Sequence, residues 1–230
     1  MAELKLTEIV STLLNTPLFA DCEDQALNEL APACRFRHLP KGSFVFFQSD
    51  PGETMYLVCS GSVAIFLNSP DGRELVISES RPGDFFGELS LITSMPRSAS
   101  ARTRQKSELL EIPATAFLQL LSSQPQVAQR LLQMTALRLT ASTEREGALA
   151  FLDAAGRIVR YLLLLDQKNS DKGYMILSQE ELAQCTGLTR QTVAKILGHW
   201  RRAGWLLTGR GRIMLLNRTA LEKVAAESTL

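Results

Sequence analysis

The sequence predicts an α+β protein that consists of an N-terminal β-roll of the jelly-roll type, a long helix and a C-terminal winged helix-turn-helix. Three observations support this prediction. Between residues 40 and 112, glycines separate short apolar segments about every ten residues. After Pro113 no glycine occurs before Gly147, and leucines recur at helical spacing. From Gly156 onward, helical patterns dominate and are followed by two apolar runs around a basic, glycine-rich turn.

The composition is that of a globular chain with two domains of opposite charge. The 230 residues are 45% hydrophobic and 21% charged, which excludes disorder and collagen-like order. The net charge is +1, but residues 154–230 contain 12 Lys/Arg and 6 Asp/Glu, a net of +6. Residues 1–153 contain 13 Lys/Arg and 18 Asp/Glu, a net of −5. This asymmetry predicts that the C-terminal part binds a polyanion.

The start of the chain and its cysteines predict a cytoplasmic location. The segment MAELKLTEIV has an acid at position 3 and no long apolar run, so we expect neither a signal peptide nor a membrane span. No cysteine belongs to a C-x-x-C pair, which favours a reducing compartment over a zinc or iron–sulfur site. We therefore expect no bound metal. The cysteines are Cys22, Cys34, Cys59 and Cys185.

The apolar segments of the N-terminal part are typical of antiparallel strands joined by tight turns. Turn signals recur at Asp50-Pro51-Gly52, at Ser69-Pro70-Asp71-Gly72 and at Arg81-Pro82-Gly83. They favour a barrel or jelly roll over alternating β/α units. The predicted strands include Ser43–Gln48, Met55–Cys59, Ser62–Leu67 and Glu74–Ser78.

A short helix after Pro113 and a long one from Pro125 to Leu152 are expected next. Leu132, Leu139 and Glu146 lie seven residues apart, a heptad-like spacing. This seam predicts that the long helix pairs with its copy in a homodimer, although the same face packing on its own domain remains an alternative. The predicted domains are residues 1–124 for the β-roll, 125–153 for the long helix and hinge, and 154–230 for the winged helix-turn-helix.

The segment from Gly83 to Ile92, followed by Pro96-Arg97-Ser98-Ala99, is the first candidate site. Gly87 lets the backbone approach a ligand, and a short helix from Glu88 directs free N–H groups at an anion. Arg97 can bind a phosphate through its guanidinium, and Ser98 can add a hydroxyl. The Glu88 carboxylate would repel a phosphate beside it unless the carboxylate accepts a hydrogen bond from a hydroxyl. The 2′-OH of a ribose can be that donor. The pattern predicts a nucleotide monophosphate with a free 2′-OH.

The run FGELSLI…PRSASA resembles the phosphate-binding cassette of cyclic-nucleotide-binding domains, which bacterial cyclic-AMP receptor proteins share with regulatory subunits of cyclic-AMP-dependent kinase. The chain is similar to transcription regulators of the cyclic-AMP receptor protein/fumarate-nitrate regulator (CRP/FNR) family over residues 20 to 216. This resemblance implies cyclic AMP as an allosteric ligand and no other cofactor. The nucleotide-binding residues that we predict are Gly87, Glu88, Leu89, Ser90, Arg97, Ser98, Ser142 and Thr143.

The second candidate site is a helix-turn-helix. Ser178 and Glu181 form the pattern of a capping box, Gly187 ends that helix, and Thr189 caps the next. The second helix directs its basic residues outward, where Arg190 can read guanine. The family resemblance implies that this helix reads the DNA operator. The DNA-binding residues that we predict are Thr189, Arg190, Gln191, Lys195, Arg201, Arg202, Arg210 and Arg212.

Three features depend on the family resemblance. Familiar members of the family carry a glutamate where this chain has Gln191, which suits adenine better than cytosine, so a different operator base is expected there. Ser142 and Thr143 fall where the family places a Thr-Ser pair that reaches the adenine amino group, one residue from each subunit, but in swapped order. The family hinge corresponds to the region of Asp153, which we expect to cap the next helix.

These assignments predict a ligand-gated transcription regulator that contacts RNA polymerase. Nucleotide binding would shift the dimer toward one arrangement of its domains about the hinge and set two recognition helices about 34 Å apart. Cyclic GMP, another nucleotide, a redox or haem signal, and ligand independence remain alternatives. An enzyme is not expected, because the sequence has two histidines and no P-loop, zinc motif or Ser/His/Asp set.

Overall fold

The structure, a computed structural model, describes residues 2–168 and 173–228, without the side chains of residues 2, 3 and 168. It confirms the α+β fold class, with a β-roll, a long helix and a winged helix-turn-helix in that order. The chain divides into two compact units. The first contains the residues up to Leu67 together with Ile77–Leu139, and the second contains Asn68–Val76 and the residues from Thr140 onward.

The β-roll consists of two four-stranded sheets with strand orders β1-β8-β3-β6 and β2-β7-β4-β5. Strand β3 pairs antiparallel with β6 and β8, and β7 pairs antiparallel with β2 and β4. The four predicted strands appear as β2 to β5, and the other four strands were not predicted individually. The strands are β1 (Arg35–Leu39), β2 (Phe44–Phe46), β3 (Thr54–Ser60), β4 (Val63–Asn68), β5 (Glu74–Ser80), β6 (Phe85–Phe86), β7 (Ser100–Thr103) and β8 (Ser107–Pro113).

Two apolar cores stabilise the first unit. One lies between the sheets and includes Val58, Val63 and Leu109. The other joins the roll to its helices through Phe19, Phe117 and other residues, and neither of its N-terminal helices was predicted from the sequence. The helices are α1 (Ala2–Leu14), α2 (Asp24–Leu30), α3 (Glu88–Thr93), α4 (Ala114–Ser123) and α5 (Pro125–Phe151), with 3₁₀ turns at Pro17–Phe19 and Ala31–Ala33.

The long helix α5 begins at Pro125, as predicted, and ends one residue before the predicted end. Its first turns are anchored in the core by Val127 and Leu131. Farther along, the side chains of Leu132 and Leu139 are 70% and 68% exposed. The predicted heptad-like seam is therefore apolar surface in the single chain.

Beyond the end of α5, the described part of the second unit contains four helices and a three-stranded sheet with the order β10-β11-β9. Its core surrounds Trp200, while the neighbouring Trp205 is partly buried against the same core. Asp153 caps the first of its helices, as predicted, because its Oδ1 accepts from the Gly156 amide at 2.7 Å. The elements are α6 (Ala154–Lys168), β9 (Met175–Ile176), α7 (Gln179–Thr186), α8 (Arg190–Arg202), β10 (Leu206–Gly209), β11 (Arg212–Leu215) and α9 (Arg218–Glu227).

Within residues 2–168 and 173–228, none of the helices has both the length and the apolar character that crossing a membrane requires.

Candidate functional site

The predicted phosphate cassette begins at Gly87, which is the N-cap of α3 with φ of 83°. This left-handed conformation favours glycine. A Cβ atom built on Gly87 would also lie only 2.7 Å from Nη1 of Arg97. Both the backbone conformation and the close approach of Arg97 therefore require glycine at this position.

Arg97 is the buried cation of the cassette, with 4% of its surface exposed. Its Nη1 donates to the Gly87 carbonyl at 2.6 Å and its Nη2 to the Thr54 carbonyl at 2.5 Å. Its Nε is buried and has no hydrogen-bond partner within the described structure. Among the described residues, no carboxylate forms a salt bridge with Arg97, and burial lowers the pKa of the guanidinium. A buried cation that forms no salt bridge among these residues has the chemistry of an anion site.

Glu88 is also buried, and its partner is Arg138 on α5. Nη1 of Arg138 lies 2.9 Å from Oε1 of Glu88, and Nη2 donates to the Phe85 carbonyl at 2.6 Å. Burial raises the pKa of the Glu88 carboxyl above its ordinary value, while the Arg138 charge lowers it by a smaller amount. Arg138 is a site residue that the sequence analysis missed, because nothing local to it indicates a contact with the cassette.

The other cassette residues differ in accessibility. Leu89 and Ser98 are exposed. Ser90 is buried against the backbone of Gly52, where an added Cβ would lie 2.1 Å from the Ser90 Cβ. Gly52 was predicted only as a turn residue, so its close packing on α3 is a second feature that the sequence did not indicate.

Ser142 and Thr143 lie on α5 beyond Leu139, in the part of the helix that clusters with the second unit. The Ser142 hydroxyl is 3.4 Å from a carboxylate oxygen of Glu146, one helical turn away. Their assignment to the adenine base stays a prediction.

The helix-turn-helix has the local signals that the sequence predicted. Ser178 and Glu181 form a capping box at the start of α7, and Gly187 ends α7 with φ of 66°. Thr189 caps α8 by accepting from the Thr192 amide at 3.2 Å. The second helix of the motif thus starts at Arg190, directly after its cap.

The basic residues assigned to DNA are exposed. On α8, Arg190, Gln191 and Lys195 face solvent, while Val193 and Leu197 are buried beneath them. Ile196, which the helical pattern also places on the apolar face, is only partly buried. Arg201 and Arg202 are exposed at the end of α8.

The predicted wing is the hairpin of β10 and β11. Gly209 pairs with Arg212, so the loop consists of Arg210 and Gly211 alone, and Gly211 has φ of 67°. The loop is shorter than the sequence indicated because Thr208 and Gly209 belong to β10. Arg210 is exposed at the tip, and the Arg212 guanidinium lies 4.8 Å from the centre of the Tyr174 ring. The hairpin therefore presents a basic tip to solvent.

The thiols of the first unit are poorly suited to ionise. Burial raises the pKa values of Cys34 and Cys59 to about 12 and also raises that of Cys22. Within the described ranges, no group of three or more His, Cys, Asp and Glu side chains is arranged to bind a metal ion.

Comparison with known protein families identifies two domains in the chain. A family model described as the cyclic nucleotide-binding domain matches residues 36–124, and one described as the Crp-like helix-turn-helix domain matches residues 156–224. The chain thus combines a cyclic-nucleotide-binding domain with a DNA-binding helix-turn-helix.

Its relatives in sequence are transcription regulators rather than enzymes. The CRP-like cAMP-activated global transcriptional regulator of Mycobacterium tuberculosis is 32% identical over 200 residues, which cover 84% of this chain and 89% of that protein. The cAMP-activated global transcriptional regulator CRP of Salmonella typhimurium is 35% identical over 180 residues, covering 76% of this chain and 86% of that protein.

Solved structures of bacterial regulators are also similar to this chain. The c-di-GMP responsive global regulator CLP of Xanthomonas campestris has a TM-score of 0.76 and 30% identity, and the match covers 84% of this chain and 99% of that chain. FixK2 of Bradyrhizobium japonicum has a TM-score of 0.72 and 25% identity, with 83% and 96% covered.

Proposed function

This chain belongs to the CRP/FNR family of transcription regulators, and from that premise we propose that it acts as a homodimer whose DNA binding is controlled by cyclic AMP. The cyclic-nucleotide domain and the DNA-binding domain follow from the family. The identity of the nucleotide, the dimer and the residues that bind each ligand are the proposal.

The observation that carries the proposal is the buried Arg97, which forms no salt bridge with any residue that the structure describes and whose Nε has no hydrogen-bond partner there. A buried charge is costly unless an opposite charge or hydrogen bonds compensate it. Two backbone carbonyls compensate Arg97 in part and leave its Nε–H unpaired. A cyclic phosphate supplies a negative charge and acceptor oxygens for the N–H groups that remain.

The ribose is the second element of recognition. The Glu88 carboxylate follows Gly87 directly in the cassette and is a hydrogen-bond acceptor. The ribose 2′-OH of a cyclic nucleotide is a donor that suits it. Two relatives named cAMP-activated support adenine as the base, and Ser142 and Thr143 are the residues that we assign to its amino group. The proposed ligand residues therefore remain Gly87, Glu88, Leu89, Ser90, Arg97, Ser98, Ser142 and Thr143.

The exposed leucines of α5 support the homodimer. Leu132 and Leu139 are seven residues apart and about two thirds exposed, as the seam of a two-stranded coiled coil requires in an isolated chain. We expect Leu132→Lys to convert the dimer to a monomer in sedimentation experiments. Leu118→Lys, at an exposed leucine of α4, is the matched control and should leave the dimer intact.

The DNA-binding unit is proposed to read an operator in the cytoplasm through α8 and to bind phosphates through Arg201, Arg202, Arg210 and Arg212. Nucleotide binding would shift the population of dimers toward the arrangement that places two α8 helices one DNA turn apart. Bound next to a promoter, such a dimer acts through RNA polymerase.

Calorimetric titration of the nucleotide-stripped protein tests the proposal. We expect cyclic AMP to bind, and Arg97→Ala to weaken binding by about 10-fold to 150-fold, the loss of a charged hydrogen bond worth about 1.5–3 kcal/mol. Arg81→Ala is the matched control, since this exposed arginine pairs with Glu79. Absence of binding with every nucleotide tested, in protein that still binds DNA, contradicts the proposal.

The same titration includes cyclic GMP and c-di-GMP. The second is a specific alternative because the structural neighbour CLP is described as c-di-GMP responsive. Tighter binding of c-di-GMP than of cyclic AMP would mean that c-di-GMP is the ligand. The other parts of the proposal would not change. A redox signal through the thiols of Cys22, Cys34 and Cys59 is disfavoured by their raised pKa values. An absorbance spectrum of the purified protein tests for haem.

A further inference from the structure

The Arg97 guanidinium lies on an aromatic surface that the sequence analysis did not detect. Its central carbon is 4.2 Å from the centre of the Phe46 ring and 5.9 Å from that of Tyr56. A cation this close to the face of an aromatic ring is attracted by the ring quadrupole, most strongly where water is excluded. Burial of Arg97 therefore strengthens the contact.

The aromatic surface joins the two sheets of the β-roll. Phe46 belongs to β2 in one sheet, and Tyr56 and Phe86 belong to β3 and β6 in the other. The ring centres are 5.9 Å apart for Phe46 and Tyr56, 5.9 Å for Phe46 and Phe86, and 5.3 Å for Tyr56 and Phe86. Contacts with these two rings restrict the half-buried Phe46, so its ring supports the guanidinium.

The loop between β2 and β3 fixes the backbone beneath the same side chain. The Arg97 amide donates to the Asp50 carbonyl, and the Ser49 amide donates to the Arg97 carbonyl, each at 2.9 Å. Thr54, at the end of this loop, accepts from Nη2 of Arg97. Backbone and guanidinium of Arg97 are therefore positioned by the segment that starts at Phe46.

Several N–H donors of Arg97 are not used by the residues that the structure describes. A guanidinium has five N–H donors, and Arg97 uses one from Nη1 and one from Nη2 on the two carbonyls. The Nε–H and a second hydrogen on each terminal nitrogen remain. The ring face of Phe46 contacts the guanidinium without consuming a donor, so it stabilises the charge and leaves these N–H groups unused.

We propose that Phe46 is a positioning residue of the anion site, which holds the Arg97 guanidinium in the orientation that binds the phosphate of a cyclic nucleotide. The inference rests on the proposed function for the identity of the anion. It assigns to Phe46 an effect on ligand affinity that passes through Arg97 and not through contact with the ligand.

Titration of the full-length protein with cyclic AMP tests this role. We expect Phe46→Leu, which keeps apolar volume and removes the ring, to weaken binding roughly 5- to 30-fold. Phe46→Tyr keeps the ring and should bind within about threefold of the original protein. Phe44→Leu is the matched control on the same strand, because Phe44 stacks on Phe47 instead. Unchanged binding by Phe46→Leu, or an equal loss in Phe44→Leu, overturns the inference.

A double-mutant cycle separates positioning from general damage to the fold. If Phe46 acts through Arg97, then Phe46→Leu should change affinity by less than about twofold in an Arg97→Ala background. If Phe46→Leu weakens cyclic AMP binding by the same factor in both backgrounds, Phe46 acts independently of Arg97, and the inference is overturned.

An NMR measurement on the ligand-free protein keeps the inference testable if no nucleotide binds and the proposed function fails. The Nε–H signal of Arg97 is assigned by its loss in Arg97→Ala. We expect this signal to be shifted upfield by the Phe46 ring and slow to exchange with water, also in Phe44→Leu. In Phe46→Leu it should move downfield and exchange faster, and a signal that stays unchanged overturns the inference.

Discussion

Arg138 on α5 donates to the buried carboxylate of Glu88 on α3, with Nη1 and Oε1 separated by 2.9 Å. The two residues are 50 positions apart in the chain, and the pair links the cassette directly to the long helix. The Arg138 guanidinium also lies 4.2 Å from the centre of the Phe85 ring. The carboxylate that we assign to the ribose is therefore compensated by the helix that we assign to the dimer.

Removing Arg138 should destabilise the protein by leaving the Glu88 charge buried without its cation. We expect Arg138→Ala to lower the free energy of unfolding by about 1–3 kcal/mol, less than for a fully buried pair because 37% of the Arg138 side chain is exposed. Urea unfolding of the nucleotide-free protein measures this change. The double variant with Glu88→Gln should lose less than Arg138→Ala alone, since no charge is stranded. An equal or larger loss contradicts this explanation.

The pH dependence of stability should report the raised pKa of Glu88. Because burial raises this pKa above the ordinary value of 4.5, the native protein binds the proton more tightly than the unfolded chain. The corresponding stability is complete below the ordinary pKa and is lost as pH rises through the folded-state pKa. Glu88→Gln cannot ionise, so we expect its stability relative to the original protein to increase with pH. Denaturant titrations between about pH 4 and 7 test this, and a constant difference would contradict it.

Ser49 has φ of 72°, a left-handed conformation that is strained for a residue with a Cβ atom. We expect Ser49→Gly to raise the free energy of unfolding by about 0.5–1 kcal/mol, because glycine adopts this conformation without strain and the gain exceeds its extra entropy in the unfolded chain. Ser49→Ala keeps the Cβ and serves as the control. A gain of the same size in Ser49→Ala would show that the serine hydroxyl, and not the backbone, causes the strain.

Two arginines of the DNA-binding unit should have separable effects on operator binding. Arg190→Ala should lower the discrimination between operator and random DNA by about 1–3 kcal/mol, because it removes a reader of base edges. Arg210→Ala should leave discrimination unchanged and reduce the slope of log affinity against log salt by about 0.9, since it removes one phosphate contact. Fluorescence anisotropy over a salt series measures both.

Arg218→Ala is the control for these DNA experiments, because Arg218 forms ion pairs with Asp166 and Glu222 and is not among the residues assigned to DNA. If Arg190→Ala changed only the salt slope, α8 would not be the helix that reads the operator.

Local signals predicted much of the fold. The start of α5 at Pro125, the caps at Asp153 and Thr189, and the capping box of Ser178 with Glu181 each depend on a few neighbouring residues, and the structure contains all of them. The basic turn of the wing was likewise predicted from a few neighbouring residues. These features are visible in sequence because their partners lie within a few positions along the chain.

Other parts of the candidate site depend on closure of the roll and had no such signal. The contact between Arg138 and Glu88, and that between Phe46 and Arg97, each join residues at least 50 positions apart. A phenylalanine in a strand predicts burial but not the cation beside it. Helices α1 and α2 were likewise missed, since their packing against α4 and α5 decides their place more than their own pattern does.

Both tryptophans of the chain, Trp200 and Trp205, lie in the unit that carries the helix-turn-helix, and the cassette belongs to the other unit. Tryptophan fluorescence therefore reports on the environment of the second unit alone. A change in emission on addition of a nucleotide would show that binding alters the unit that carries the helix-turn-helix. The chain thus contains its own optical reporter of allosteric coupling, without any added label.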